Sequence, residues 1–352
     1  MKKSKAILAG LILGTAAITL TACDPPMPPE VAAALAEQTY TCVEGNANVS
    51  APDAMADLMW GWTDSLSYAC FDPEPAMTAT AVLQADNPEL EISAADSVCE
   101  PSVSVPFAVD AAVLIYMESE VNSLSVSPKS IAGIMDGSIT NWKQLAKDNP
   151  GYDMPDYPLT IVPAADALAL KAMTSYLEDQ GIKVNNKVFE ASSETTIDQY
   201  SLLEEGQVAL VPNSYAVYLG LYPASIYLGQ DADDFPIFAT PDVSGMQSAS
   251  TQWVMKTTEA AITVTLDKSK VPTPPEGSDI APVPYQAIYP VNLNVCDPGD
   301  LVPRAVSRFL LRLDSQGALA ASNYAPIPEF LRIAALLKVS AGLPTPTPTA
   351  TE

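Results

Sequence analysis

The sequence predicts an α/β fold, because short apolar runs alternate with helical patterns through most of the chain. A length of 352 residues exceeds what one typical hydrophobic core holds, which indicates two lobes. An apolar content of 48% is that of a folded globular protein, and 32 prolines indicate many rigid loops. The apolar runs cover 103–116, 159–162, 207–211 and 288–295.

Helices are indicated by their ends as well as by apolar spacing. Ser127 followed by Pro128 is an N-cap with proline at the first helical position, and Gly137 ends that helix. A second helix is predicted at 165–177, with Gly181 shortly after it. Further helical patterns cover 55–62, 303–313 and 328–337.

The N-terminus has the pattern of an export signal: Lys2, Lys3 and Lys5 precede the apolar stretch 6–20. The next residues complete Leu-Thr-Ala-Cys, which resembles a bacterial lipobox. The resemblance implies a lipoprotein signal peptide at residues 1–22 and a diacylglycerol thioether on Cys23. It also implies a location in the cell envelope, at the outer face of the cytoplasmic membrane. The alternative is an ordinary signal peptide in which Cys23 is incidental.

Proline-rich segments lie at both ends of the mature chain. Residues 23–41 begin with four prolines among their first seven positions and are predicted to be a stiff spacer. Residues 343–352 form a Pro/Thr tail without core-forming side chains. We expect both segments to be disordered.

The charge of the chain limits its partners. The chain has 17 basic and 42 acidic residues, which gives a formal net charge of −25. Such a chain is repelled by nucleic acid and by anionic lipid, so we expect no nucleic-acid partner and a covalent membrane anchor. Beyond the N-terminal stretch, no segment offers eighteen uninterrupted apolar residues that could span a bilayer.

The chain contains no histidine, which excludes much catalytic and metal chemistry. A Ser-His-Asp triad, a Cys-His pair and a His-ligated metal are all ruled out. No P-loop and no GxGxxG motif occurs. A carboxylate pair could still act as acid and base, but many acidic residues by default mean a solvated surface. We therefore expect no enzyme, no catalytic residue, no cofactor and no metal site.

Apart from Cys23, four cysteines remain: Cys42, Cys70, Cys99 and Cys296. An even number in an exported chain predicts two disulfides, with three connectivities open. Cys42 precedes the first strand pattern and Cys70 follows the first helix pattern. In a βα unit, the start of the strand and the end of the helix lie on the same side. This favours Cys42–Cys70 and Cys99–Cys296. A zinc or redox site is disfavoured, because the chain lacks both CxxC and histidine.

The segment 127–142 resembles the helix–loop segment of the periplasmic phosphate-binding proteins, the substrate-binding components of phosphate ABC transporters. Four further stretches fit the family in the same order, and together the resemblance covers about 46–337. In these stretches Ile-Ser-Ala-Ala-Asp resembles the family's strand-end Gly-Ala-Ser-Asp, and Asn-Tyr-Ala-Pro-Ile-Pro resembles Gly-Tyr-Ala-Pro-Leu-Pro. The stretches are 92–96, 106–116, 203–216 and 315–329.

The resemblance implies a type 2 periplasmic-binding-protein fold: two α/β lobes joined by two crossing hinge strands, with a ligand cleft between them. Lobe one would combine 42–105 with 287–342, and lobe two would cover 106–286. The runs 105–116 and 288–295 are long enough to cross between lobes. The Cys99–Cys296 disulfide would then hold the hinge on lobe one.

The chain departs from the family in the residues that hold phosphate. Aligned through Thr-Ser-Tyr-Leu at 174–177, Pro163 replaces the family's arginine and thereby removes its fork of donors. Ala167 and Ala169 replace hydroxyl residues, and Leu168 replaces a glycine. Asp166, near the start of that helix, could cap it and would repel an anion. The family's Gly-Ser-Gly-Gly loop is also missing from 76–85.

Three residues remain as candidate ligand contacts. Asp96 aligns with the family's aspartate that accepts a proton from phosphate, although it could equally be a helix cap. Asn48 or Ser50 could match the family's threonine near the first strand, in one of two registers.

Two functions follow from the resemblance. The first is a membrane-anchored extracytoplasmic solute-binding lipoprotein that resembles the phosphate transporter component, with the phosphate-ligating residues replaced and the ligand changed or weakened. Its partners would be a small solute, phosphate or another, an ABC permease, and the membrane through the lipid anchor. The alternative is a non-transporting binding-protein fold that acts as an envelope interaction or scaffold module.

Asp110 interrupts the apolar run 105–116 at a position where the family usually has glycine. The simpler interpretation is an edge position that faces water. The other places a carboxylate at the mouth of the cleft, where it would bind a cation.

Overall fold

A computed structural model describes residues 39–71, 76–83, 87–192, 203–274, 279–297 and 299–344. The predicted signal peptide, Cys23, the spacer up to residue 38 and the tail from residue 345 lie outside these residues. In the part of the chain that the structure describes, no helix is long and apolar enough to span a membrane.

The described elements form a mixed α/β fold, as the sequence predicts, although helices lie between groups of strands and do not alternate strictly with single strands. The strands are β1 (Gly45–Ala51), β2 (Met77–Leu83), β3 (Leu90–Ser93), β4 (Val103–Met117), β5 (Ser125–Val126), β6 (Thr160–Ile161), β7 (Ala164–Asp166), β8 (Glu190–Ser192), β9 (Gln207–Pro212), β10 (Tyr222–Pro223), β11 (Ser225–Gln230), β12 (Pro236–Ala239), β13 (Trp253–Thr257), β14 (Ile262–Leu266), β15 (Ile288–Val295) and β16 (Ala325–Pro326). The α-helices are α1 (Ala56–Ala69), α2 (Pro128–Met135), α3 (Ala167–Asp179), α4 (Asn213–Tyr218), α5 (Val243–Ser250), α6 (Leu301–Leu310), α7 (Leu313–Ala318) and α8 (Glu329–Val339). Short 3₁₀ helices cover Asp53–Met55, Trp142–Asp148 and Leu319–Ser322.

The main sheet has the strand order β2-β1-β3-β15-β4-β9-β6, with β10 and β16 also paired to β4. In the first half, α1 packs against β2, and α6 packs against β1 and β15. α8 packs against β4 and α6, and α3 packs against β4 and β9. The other sheets are β12-β11-β5 and the two-stranded ribbons β13-β14 and β7-β8.

β4 is the strand that joins the two halves of the sheet. Its N-terminal part, up to Ala111, pairs with β15, and its C-terminal part, from Ala112, pairs with β9. Nearly every residue of β4 is buried, which explains its continuous rather than alternating apolar sequence. β4 and β15 are therefore the two crossing strands, in the runs that the sequence predicts. The lobe boundaries 42–105 with 287–342 and 106–286 stay a prediction.

The helix ends follow the predicted signals in part. The hydroxyl of Ser127 accepts a hydrogen bond from the Ser130 amide at 3.2 Å and caps α2, as predicted. The predicted helix at 165–177 begins later, at Ala167, because the residues before it pair with β8 as strand β7. The pattern at 303–313 is divided between α6 and α7, so that the single helix predicted there is wrong.

Both predicted disulfides are present. Cys42–Cys70 joins the segment before β1 to the end of α1, with a Cα–Cα distance of 5.5 Å. Cys99–Cys296 joins the loop after β3 to the end of β15, with a Cα–Cα distance of 5.7 Å. The second bridge therefore ties a crossing strand to the sheet of the first half.

Candidate functional site

A cavity of about 570 Å³ opens where the two halves of the sheet meet around β4 and β15. Its lining comes from strand ends on one side and from the starts of α3 and α4 on the other. Among the described residues that line it, none is lysine or arginine. The carboxylates are Asp53, Glu91, Asp110 and Asp166, and the hydroxyl groups are those of Ser50, Ser93, Tyr215, Tyr289 and Tyr324. The remaining lining is Ala51, Pro52, Ile92, Ala94, Ala95, Val98, Leu168, Pro212 and Val291.

A second cavity, of about 660 Å³, lies beside α5 and the start of α8. It is bordered by the surface loop 270–274 and by Pro282 and Pro328, not by the ends of the crossing strands. Ligands of open α/β sheets bind at the carboxyl ends of strands, where connections diverge to the two sides. The cavity around β4 and β15 is therefore the candidate ligand cleft.

Asp110 lies in the middle of β4 and is only 3% exposed. Its Oδ2 accepts hydrogen bonds from Ser214 Oγ at 2.6 Å and Tyr289 Oη at 3.3 Å. Its Oδ1 accepts from the amides of Ala111 at 2.8 Å and Ser214 at 3.2 Å. The interpretation of Asp110 as an edge residue facing water is wrong, because β4 is a central strand with β15 and β9 on its two sides.

Burial dominates the ionisation of Asp110. It raises the pKa of Asp110 to about 6, against the lowering effect of the hydrogen bonds from Ser214, Ala111 and Tyr289. Since the ordinary pKa of aspartate is about 3.9, burial disfavours the charged form of Asp110 more than these hydrogen bonds favour it. Strong perturbation of a buried group in a cleft is typical of functional sites.

Three tyrosines line the cleft together with its acidic residues. Burial, followed by Asp53, Asp166 and Asp110, raises the pKa of Tyr215 to about 12. Burial and Asp110 also raise the pKa of Tyr289 and of Tyr324. The phenols therefore stay neutral at physiological pH, and the cleft keeps the negative charge of its carboxylates.

Asp166 is the N-cap of α3, as the sequence predicts. Its Oδ1 accepts hydrogen bonds from the amides of Leu168 at 2.9 Å and Ala169 at 2.8 Å. Amides at a helix N-terminus are a favourable anion site when they are available. Here they are bonded to a carboxylate of the chain itself.

We expect Asp166→Ala to lower the free energy of unfolding by about 1 kcal/mol, because two α3 amides lose their acceptor. Asp166→Asn should change it little, since asparagine caps a helix about as well as aspartate. Urea unfolding of the two variants measures the difference. Equal stability of the alanine and asparagine variants would contradict a capping role.

Glu91 also lines the cavity, is 4% exposed and lies near the Cys99–Cys296 bridge. Its carboxylate accepts hydrogen bonds from the Val98 amide at 3.3 Å and from Asn294 Nδ2 at 3.4 Å, and also from the Ser97 hydroxyl. These contacts hold the loop after β3 against β15.

The predicted ligand residues have different locations. Ser50 is buried at the end of β1 and lines the cleft. Asn48 is exposed, and its amide donates to Glu89 Oε2 at 2.6 Å. Asp96 is also exposed, and no helix begins there, so its interpretation as a helix cap is wrong. The roles of all three as ligand contacts stay predictions.

Sequence reasoning missed several cleft residues, among them Asp53, Glu91, Tyr289 and Tyr324. Of these residues, only Tyr289 could have been identified from the sequence. Tyr289 is paired directly with Asp110 across β15 and β4, and this pairing follows once the two crossing strands are aligned antiparallel.

The cleft carboxylates do not form a compact metal site. Within the described ranges, the one group of three ligand atoms close enough for a metal is Glu91 with Cys99 and Cys296. Both sulfurs are in a disulfide and so are not thiolates. The carboxylates of Asp53, Asp110 and Asp166 do not form such a group of three.

Comparisons with known proteins show the fold. No protein-family model matches the sequence, and no curated protein matches it. An ancestral soluble variant of the human phosphate binding protein is similar in structure, with a TM-score of 0.55 and 13% identity over 82% of this chain and 93% of that chain. A human phosphate binding apolipoprotein matches with a TM-score of 0.53 and 12% identity over 84% of this chain and 93% of that chain. A high affinity periplasmic phosphate-binding protein bound with phosphate matches with a TM-score of 0.52 and 12% identity, again over 84% and 93%.

These likenesses extend over most of both chains. The protein thus has the two-lobed α/β fold of periplasmic binding proteins, with two crossing strands, as the sequence predicts.

Proposed function

We propose that the chain is an extracytoplasmic solute-binding lipoprotein, related to the substrate-binding components of phosphate ABC transporters. The observation that carries the proposal is the cavity of about 570 Å³ between the halves of a binding-protein fold, with polar side chains from both halves in its wall. Such a volume is in the range of small-molecule sites. The name of each structural neighbour reported above identifies it as a phosphate-binding protein. We expect no catalytic activity.

Cys23 would anchor the protein to the outer face of the cytoplasmic membrane, and an ABC permease would receive the solute. The support is the lipobox-like Leu-Thr-Ala-Cys sequence together with the two-lobed fold. Two disulfides fit an oxidising location outside the cytoplasm. Closure of the lobes about β4 and β15 would enclose the solute.

The ligand is proposed to differ from phosphate. The position of the family's arginine holds Pro163, which has neither a side-chain donor nor an N–H. The α3 amides are bonded to Asp166, and the Ser214 amide is bonded to Asp110. A buried dianion needs donors, and each group left unpaired costs about 1–3 kcal/mol, or more when it is charged. The cleft supplies carboxylates instead.

Titration of the purified chain with phosphate tests this part of the proposal. We expect no heat of binding with phosphate up to millimolar concentration, whereas another small solute gives micromolar binding. The phosphate-binding neighbour that was solved with phosphate bound is the positive control. Micromolar phosphate binding by the chain would overturn the proposed change of ligand. Absence of binding by every solute class would instead support the non-transporting interaction module.

A further inference from the structure

We propose that the cleft binds an organic cation, a small molecule that carries one or more ammonium groups. The inference rests on the proposed solute-binding function and names the ligand class of the same cleft. Three features carry it: the charge of the lining, the aromatic hydroxyl walls, and the spacing of the carboxylates.

The first feature is charge. Four carboxylates line the cavity, and no lysine or arginine is among the described residues that line it. Glu91 and Asp110 are 4% and 3% exposed, so their charges are poorly screened by water. An ammonium group entering from solvent would donate charge-assisted hydrogen bonds to carboxylate oxygens that are already in place.

The second feature is the set of tyrosines. Tyr215, Tyr289 and Tyr324 come from α4, β15 and the segment before β16, and all three line the same cavity. Tyr289 Oη donates to Asp110, so that a carboxylate and an aromatic ring are held together. Aromatic rings next to carboxylates are the usual wall of sites that bind alkylammonium groups, through cation–π attraction.

The third feature separates an organic cation from a bare metal ion. In the described part of the chain, Asp53, Asp110 and Asp166 do not form a group of three whose oxygens are all close enough to share one metal ion. The cavity of about 570 Å³ is far larger than an ion needs and suits a molecule with several heavy atoms. A ligand of this size that extends from Asp166 toward Asp110 would meet both carboxylates.

The test is calorimetric titration of the full chain with matched probes. The cations are ammonium, putrescine, spermidine and choline, and the uncharged controls are butanediol and dimethylbutanol, the isosteres of putrescine and choline. We expect at least one of the organic cations to bind, and its neutral isostere to bind at least about tenfold more weakly, because the isostere leaves the carboxylates without a charged partner.

Variants connect the binding to the cleft. Asp166→Asn keeps the α3 cap but removes one charge, and it should raise the dissociation constant of the bound cation about tenfold. Tyr215→Leu, which removes the ring, should raise it severalfold, whereas Tyr215→Phe should leave it nearly unchanged. Glu178→Gln is the matched control, because Glu178 is exposed near the other end of α3.

The outcomes distinguish the inference from the function on which it rests. The proposed cation site would be wrong if a cation and its isostere bound equally well. It would also be wrong if Asp166→Asn left cation binding unchanged. Either result would leave the proposed solute binding intact. Binding of a neutral or anionic solute alone would do the same. If no solute of any class binds, both the inference and the proposed function are wrong.

Discussion

Replacing both Cys99 and Cys296 by alanine is expected to lower the free energy of unfolding by about 4–5 kcal/mol, since a bridge across a long loop removes much of the freedom of the unfolded chain. The two residues are separated by 197 positions, so the loop takes in the whole second half of the fold. The bridge also joins the loop after β3, which Glu91 contacts, to the end of β15. Urea unfolding of the oxidised wild type and the double variant gives the difference.

The other bridge is the internal control. Cys42 and Cys70 are separated by only 28 positions, and the double alanine variant there should lose about 3 kcal/mol, less than the first. Both variants lack free thiols at the mutated bridge, so disulfide exchange does not obscure the comparison. A greater loss for the short loop than for the long one would contradict the loop-closure account.

The elements that the sequence predicts best are those with a local signal. β4 is a long apolar run, as expected of a strand that is buried on both faces, and β15 is a shorter, mainly apolar run. Ser127 and Asp166 mark the starts of helices, because each caps amides that lie only two or three residues further along the chain. The disulfide pairing follows from one local unit, because fixing Cys42–Cys70 leaves a single choice for the others.

The cleft could be predicted only in part, since its side chains converge through strand order. Glu91 and Tyr289 lie on β3 and β15, and Tyr324 follows the 3₁₀ helix after α7. Apart from the alignment of Tyr289 with Asp110 across β15 and β4, nothing in the sequence marks these residues as neighbours. Asp110 shows the same limit: a single acidic residue in an apolar run resembles an edge position, until the strand order places β15 and β9 on either side of it.

Asp110→Asn is expected to stabilise the protein by about 3 kcal/mol near pH 8 and to have little effect near pH 4. Burial raises the pKa of Asp110 to about 6, so between about pH 4 and pH 6 the folded state binds more protons than the unfolded state. This contribution of Asp110 to stability is therefore present at low pH and lost as the pH rises through about 6. Asparagine has no charge to bury and can still accept the amide hydrogen bonds of Ala111 and Ser214.

Urea unfolding of wild type and Asp110→Asn at about five pH values from 4 to 8 measures this effect. The groups that face Asp110 are Ser214 of α4, Tyr289 of β15 and Tyr324, with Asp166 and Asp53 acting on the same tyrosines. The tyrosines stay neutral over this range, so Asp110 is the group expected to change. Glu178→Gln, at an exposed position, should show no such trend. A stability difference for Asp110→Asn that does not grow with pH would mean that the carboxylate carries no buried charge. A buried carboxylate that is kept at a cost in stability is typical of a functional site, here the proposed cation site.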